Sequence, residues 1–167
     1  MATSGRYVLM GRSKGLVFKQ DGLGGDGSNS QQVSLLRSVS VDITSAQLLA
    51  LFTTPIEIVA APDSGFMLEF VSATVIYKAG ATPYTIGSAT NLAVKYTDGS
   101  GTTVSATQAV TGMIDQSSNQ IRMIPGVATA FTPATAAKFV LTLAGANPSA
   151  GDGTLTVKVF YRVLPTT

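Results

Sequence analysis

The chain has 167 residues, enough for one domain with a core of its own. Apolar residues make up 45% and charged residues only 12%, about half the usual charged share, so the surface must be largely Ser, Thr, Gly, Asn and Ala, a composition suited to packing against copies or partners. A net charge of +2 argues against nucleic acid as a partner, and the absence of His and Cys excludes Ser-His-Asp and Cys-His catalysis, thiolate metal sites and disulfides.

In chain order, residues 1–32 read as a Gly-rich basic arm and hinge, and residues 33–167 as a β-sandwich domain. The segment "RYVLMGRSKGLVFK" (6–19) mixes Arg6, Arg12, Lys14 and Lys19 with Tyr7, Leu9, Leu16 and Phe18. It is too apolar for a solvated tail and too short and Gly-broken to form a core. It is therefore expected to dock on another surface by strand addition or in a groove, with the basic residues steering it onto an acidic partner. The start lacks an apolar stretch of signal-peptide length, and no apolar run approaches the ~18 residues of a membrane-spanning helix. No membrane partner is expected, and synthesis is expected in a cytoplasm.

"GLGGDGSNS" (22–30) fits G-x-G-x-x-G through Gly22, Gly24 and Gly27. A dinucleotide site would need a helix opening on the last glycine, whose N-terminus holds the pyrophosphate. Instead, apolar residues alternate from Val33 through Leu35, Val39, Val41 and Ile43, which is a strand period. The near-match to a calcium-binding repeat occurs once, whereas that motif works by tandem stacking. Gly22, Gly24, Gly25 and Gly27 are accordingly assigned to a hinge, with no cofactor.

"TSAQLLALF" (44–52) carries a capping-box pattern, Thr44 with Gln47, and predicts a short helix covering the core with Leu48, Leu49 and Phe52 until Pro55 stops it. Strands are expected at 55–61, 65–80, 91–97, 119–125, 138–145 and 154–163, with "DGSG" (98–101) as a hairpin turn into "TTVSA". In "GFMLEFVSATVIYKAG" (65–80), Phe66, Leu68 and Phe70 share one face and Val71, Ala73, Val75 and Tyr77 take over from the next residue. A bulge near Phe70–Val71 would explain the switch and could carry the strand between sheets. "TQAVTGMID" (107–115) is a second, weaker helix candidate. About eight strands without a β-α-β rhythm predict an all-β, antiparallel, jelly-roll-like sandwich with one or two short helices and an extended N-terminal arm.

The remaining catalytic routes are paired carboxylates, a Ser–Lys pair or a carboxylate metal site. The nine acids are scattered, with no two close on one strand face. Asp63, Asp98 and Asp152 sit in turn sequences. Glu69 interrupts an apolar run and is expected to be exposed or to pair with Lys or Arg. Tyr77, Tyr84, Tyr96, Phe160 and Tyr161 could line a sugar groove, although packing is the simpler role for strand aromatics. No catalytic, cofactor-binding or metal residue is assigned, and no enzyme activity is expected.

The segment "DITSAQLLALFTTPIEIVAAPDSGF" and the closing "GDGTLTVKVFYRVLP" resemble elements of small tailed-bacteriophage virion proteins: a short helix before a "P-I-E-I-V-A-A-P" strand, then a Gly-led strand, and at the end a "GDGT" turn into an alternating run to "Y-R-V". The resemblance spans Val41 to Pro165 and implies a β-sandwich structural protein of the particle, such as a capsid decoration (cement) protein, with the head exterior favoured, or a fibre or tail accessory; the aromatics and polar loops add the alternative of a module recognising a host glycan. The partners it implies are the major capsid protein or another virion protein. Sparsely charged strands add an expectation of a homo-oligomer, a trimer before a dimer because particle lattices offer local three-fold positions.

Overall fold

A computed structural model describes residues 35–166. The arm, the hinge and Val33 therefore lie outside the described residues. Within them the chain forms eight strands: β1 Arg37–Ile43, β2 Ile56–Val59, β3 Phe66–Lys78, β4 Asn91–Tyr96, β5 Gln108–Ala109, β6 Gln120–Pro125, β7 Phe139–Leu143 and β8 Thr154–Pro165. One four-stranded sheet has the order β1-β8-β3-β6 and the other β2-β7-β4-β5, with every named pairing antiparallel. This interleaved order is the double-sheet jelly roll, as the sequence predicts.

The alternation along β8 sets one layer of the core. Leu155, Val157 and Val159 are buried, as are Ala73, Val75 and Tyr77 of β3 facing the same way. Phe139, Leu141 and Leu143 of β7 and Leu92, Val94 and Tyr96 of β4 supply the opposing layer. The sheets meet through aromatic rings: Phe139 lies edge-on to Phe70 at 6.0 Å between centroids and 5.1 Å from Tyr96, within the favourable range for aromatic pairs. Tyr96 also donates its hydroxyl to the Leu68 carbonyl on β3, a polar tie between the sheets.

The bulge in β3 occurs where the sequence places it, with the register against β8 shifting between Phe70 and Ser72. Its role differs from the expectation, because β3 pairs with β8 on both sides of the shift and never leaves its sheet. The extra residue returns apolar side chains to the same core, so that Leu68 and Phe70 before it and Ala73, Val75 and Tyr77 after it are all buried.

Three local expectations are corrected. The helix, α1, spans only Ser45–Leu48, although Thr44 and Gln47 do form the reciprocal capping box. Past it the chain tightens into turns whose Phe52 and Thr53 amides donate to the Asn147 side chain. This rotation buries Leu51 beside Leu48 and leaves Phe52 exposed. Residues 107–115 are not helical: β-branched Thr107, Val110 and Thr111 flank the short β5, and Gly112 at φ +74° opens a turn closed by Asp115 accepting from the Gly112 amide at 2.7 Å. "TTVSA" does return from the "DGSG" turn, but it is divided between two partners. Thr103 bridges to Lys95 of β4, whereas Ser105 bridges to Gly126 beside β6. The segment thus closes one side of the sandwich rather than forming a full strand.

On the outer face of the second sheet, Val140, Thr142 and Ala93 are also buried. The turn after β4 folds across them: a side chain on Gly99 would stand 3.1 Å from Pro55 and 3.4 Å from Thr142, and Lys95 Nζ donates to the Gly99 carbonyl at 2.7 Å.

Candidate functional site

Every acid of the described residues except Asp63 has a side-chain partner. Asp42 accepts from the Thr156 hydroxyl at 2.6 Å. Glu57 and Lys138 pair at 3.2 Å, as do Glu69 and Arg162 across β3 and β8. Both ion pairs are well exposed and contribute little to stability. Asp63 accepts through its carbonyl from the Phe66 amide in a turn whose Gly65 has φ +85°. Asp98 accepts from the Ser100 amide and hydroxyl, and those bonds hold its carboxyl below the usual carboxylate range. Asp115 closes its own turn, and Asp152 accepts from the Ala81 and Thr82 amides at 3.2 and 2.8 Å. Among the described residues no group of three or more Asp or Glu is placed to hold a metal ion.

The aromatic residues considered for a sugar groove do not converge. Tyr77, Tyr84 and Tyr96 are core residues, and burial, the largest cause, pushes Tyr84 and Tyr96 up to about 12. Phe160 lies on the outer face beneath Lys158, whose Nζ is 5.3 Å from the ring centroid. Tyr161 lies at one end of the core.

Two surface features stand out instead. The first is the outer face of the β1-β8-β3-β6 sheet. Pairing aligns Ile76 with Ile121, Thr74 with Met123 and Ser72 with Pro125. Ile121 is 64% and Met123 74% exposed, and Ile76 is also exposed. Across β3 the face continues through Thr156, Lys158 and Phe160 to Asp42, Ser40 and Ser38. It is an apolar stripe beside a mixed field of Ser and Thr hydroxyls with Asp42, Lys158 and Phe160 among them. Isolated exposed apolar residues need no explanation, but adjacent ones on one sheet face mark a contact surface. Sequence reasoning missed the stripe, although "QIRMIP" displays Ile121 and Met123 on one parity with Arg122 between them. What it could not reveal was which parity faces outward.

The second feature is a depression of about 440 Å³ at the end of the sandwich, lined by Arg37 of β1, residues 59–63 after β2, Phe66 and Leu68 of β3, and Tyr161 and Val163 of β8. The proposed docking residues Arg6, Tyr7, Leu9, Arg12, Lys14, Leu16, Phe18 and Lys19 and the hinge glycines lie outside the described residues.

Comparison with models of known protein families and with curated protein sequences finds no match.

Proposed function

We propose that the protein is a non-enzymatic structural component of a tailed-phage particle, a capsid decoration protein that binds the exterior of the head and reinforces its lattice. The observation that carries this reading is the exposed Ile76–Ile121–Met123 stripe, which lies on a sheet face that also carries Ser38, Ser40, Ser72 and Thr74, with Asp42, Lys158 and the Glu69–Arg162 pair among its charges. The stripe itself is inexpensive to desolvate because none of its three side chains is charged. The jelly roll supplies a rigid platform for it, and the sequence resemblance supplies the setting. The partners in this reading are further copies of the chain, as a trimer before a dimer, and the major capsid protein.

At three of the four sheet edges, strand pairing is a poorer mode of self-association than face packing. β6 points the Arg122 guanidinium inward at the sheet edge, where it donates to the Ile121 and Gly112 carbonyls, and it ends in Pro125. The opposite sheet ends in the two-residue β5 and the four-residue β2. Short edges, inward charges and proline are common ways of discouraging further strand pairing. Light scattering of the purified chain tests the self-association: a concentration-dependent homo-oligomer supports the reading, and a stable dilute monomer that also makes no contact between copies in particles removes it.

A further inference from the structure

Along β8, burial falls away where β1 stops. Leu155, Val157 and Val159, each opposite a β1 residue, are fully buried, whereas Tyr161 and Val163, which continue the same face, are only half-buried. β8 runs on to Pro165, paired with β3 throughout, but β1 begins at Arg37 opposite Tyr161. Among the described residues, nothing pairs with the other edge of β8 from Arg162 to Pro165. The depression lies beneath this open edge, with Phe66, Leu68, Tyr161 and Val163 as its apolar lining.

The chain that arrives at Arg37 has the pattern needed to fill it. Inward positions of β1 are odd-numbered, Val39, Val41 and Ile43. Continuing the observed register backwards sets Leu36 opposite Arg162, Leu35 opposite Val163 and Val33 opposite Pro165. On that register Val33 and Leu35 would keep the inward parity, and Ser34 and Leu36 would take the outward one. Leu35 and Leu36 are 57% and 55% exposed, an unfavourable position for two adjacent large apolar side chains.

We propose that the end of β8 is a strand-addition site whose occupant is residues 33–36 of the same chain, with Val33 and Leu35 seated in the depression. The occupant adjoins β1, so no long loop must be closed to deliver it; alternate residues would gain ladder hydrogen bonds to β8 and the inward ones apolar burial. Basic arm segments further from Arg37 are worse candidates, because Arg37 itself lines the cavity. A seated strand would bring the preceding hinge out beside Pro165 and fix where the N-terminal arm leaves the sandwich.

The chain has no cysteine, so engineered pairs can be read cleanly. In the full chain under mild oxidation, Leu35→Cys with Val163→Cys should form an intrachain disulfide, and Leu36→Cys with Val163→Cys, on opposite faces, should not. In the unaltered chain, amide exchange over 34–36 should be slowed by about tenfold or more relative to a free peptide. An interchain disulfide in the first pair would assign the site to a second copy and overturn the proposal. Equal cross-linking of both pairs, or unprotected amides at 34–36, would overturn it as well.

Discussion

Two buried tyrosines show how much a single hydroxyl can matter. Tyr96 donates across the sandwich to Leu68, whereas the buried Tyr77 hydroxyl has no partner among the described residues. A buried polar group without a partner costs free energy, and a satisfied one contributes about 1 kcal/mol. Tyr96→Phe should therefore lower stability by about 1–2 kcal/mol, while Tyr77→Phe should leave it unchanged or raise it, as read by denaturant unfolding. Alkaline stability follows from the same burial. Tyr84 and Tyr96 sit near 12, above the ordinary 10.0, because ionisation inside the core is penalised. Their contribution is complete below pH 10, and is lost as the pH rises towards 12. Unfolding followed by tyrosinate absorbance should accordingly start in that window, and Tyr84→Phe with Tyr96→Phe should move the midpoint upward; an unmoved midpoint would contradict the linkage. Gly151 is a third decisive residue. It has φ +100°, and a Cβ there would stand 2.5 Å from the Tyr84 ring. Gly151→Ala should cost about 2–3 kcal/mol from backbone strain and overlap together, measurable as a lowered melting temperature.

At the scale of elements, the strands with clean alternation were legible because one face of each is buried, and the phase change in β3 announced its bulge. The elements read less well were those whose ends are set by distant contacts. α1 stops after one turn because Asn147, 95 positions from Phe52, captures the following amides. The return from the "DGSG" turn divides because β6 competes with β4 for it, and local sequence carries neither fact. Asp98 bonds its own turn as its sequence suggests, whereas Asp152 reaches the distant Ala81 and Thr82 amides, a tie that local sequence does not carry. The apolar stripe was hidden for a different reason: period-2 alternation separates two faces without saying which one meets solvent. It can be tested directly. Ile121→Lys with Met123→Lys alters only outward positions, so unfolding should shift by less than about 0.5 kcal/mol, whereas sedimentation velocity should show loss of the homo-oligomer. Unchanged self-association would move the interface elsewhere.

For the whole molecule, the described jelly roll offers a stable body, one apolar stripe and, at the end of β8, an unpaired strand edge among the described residues. The account predicts separate roles for these parts: the sandwich folds without the arm, and the arm strengthens attachment to the head. Residues 1–20 lie beyond any strand described here, so their deletion should leave the melting temperature of the sandwich unchanged. The most direct test is co-sedimentation of the purified chain with heads assembled from the capsid proteins of the same genome, comparing the full chain with that deletion. The expected result is saturable binding of the full chain and markedly weaker binding of the truncated one, with neutralisation of Arg6, Arg12, Lys14 and Lys19 weakening it less and chiefly at low salt, where the charges are least screened. Pelleting of the full chain no greater than that of an unrelated protein would contradict the assignment to the head.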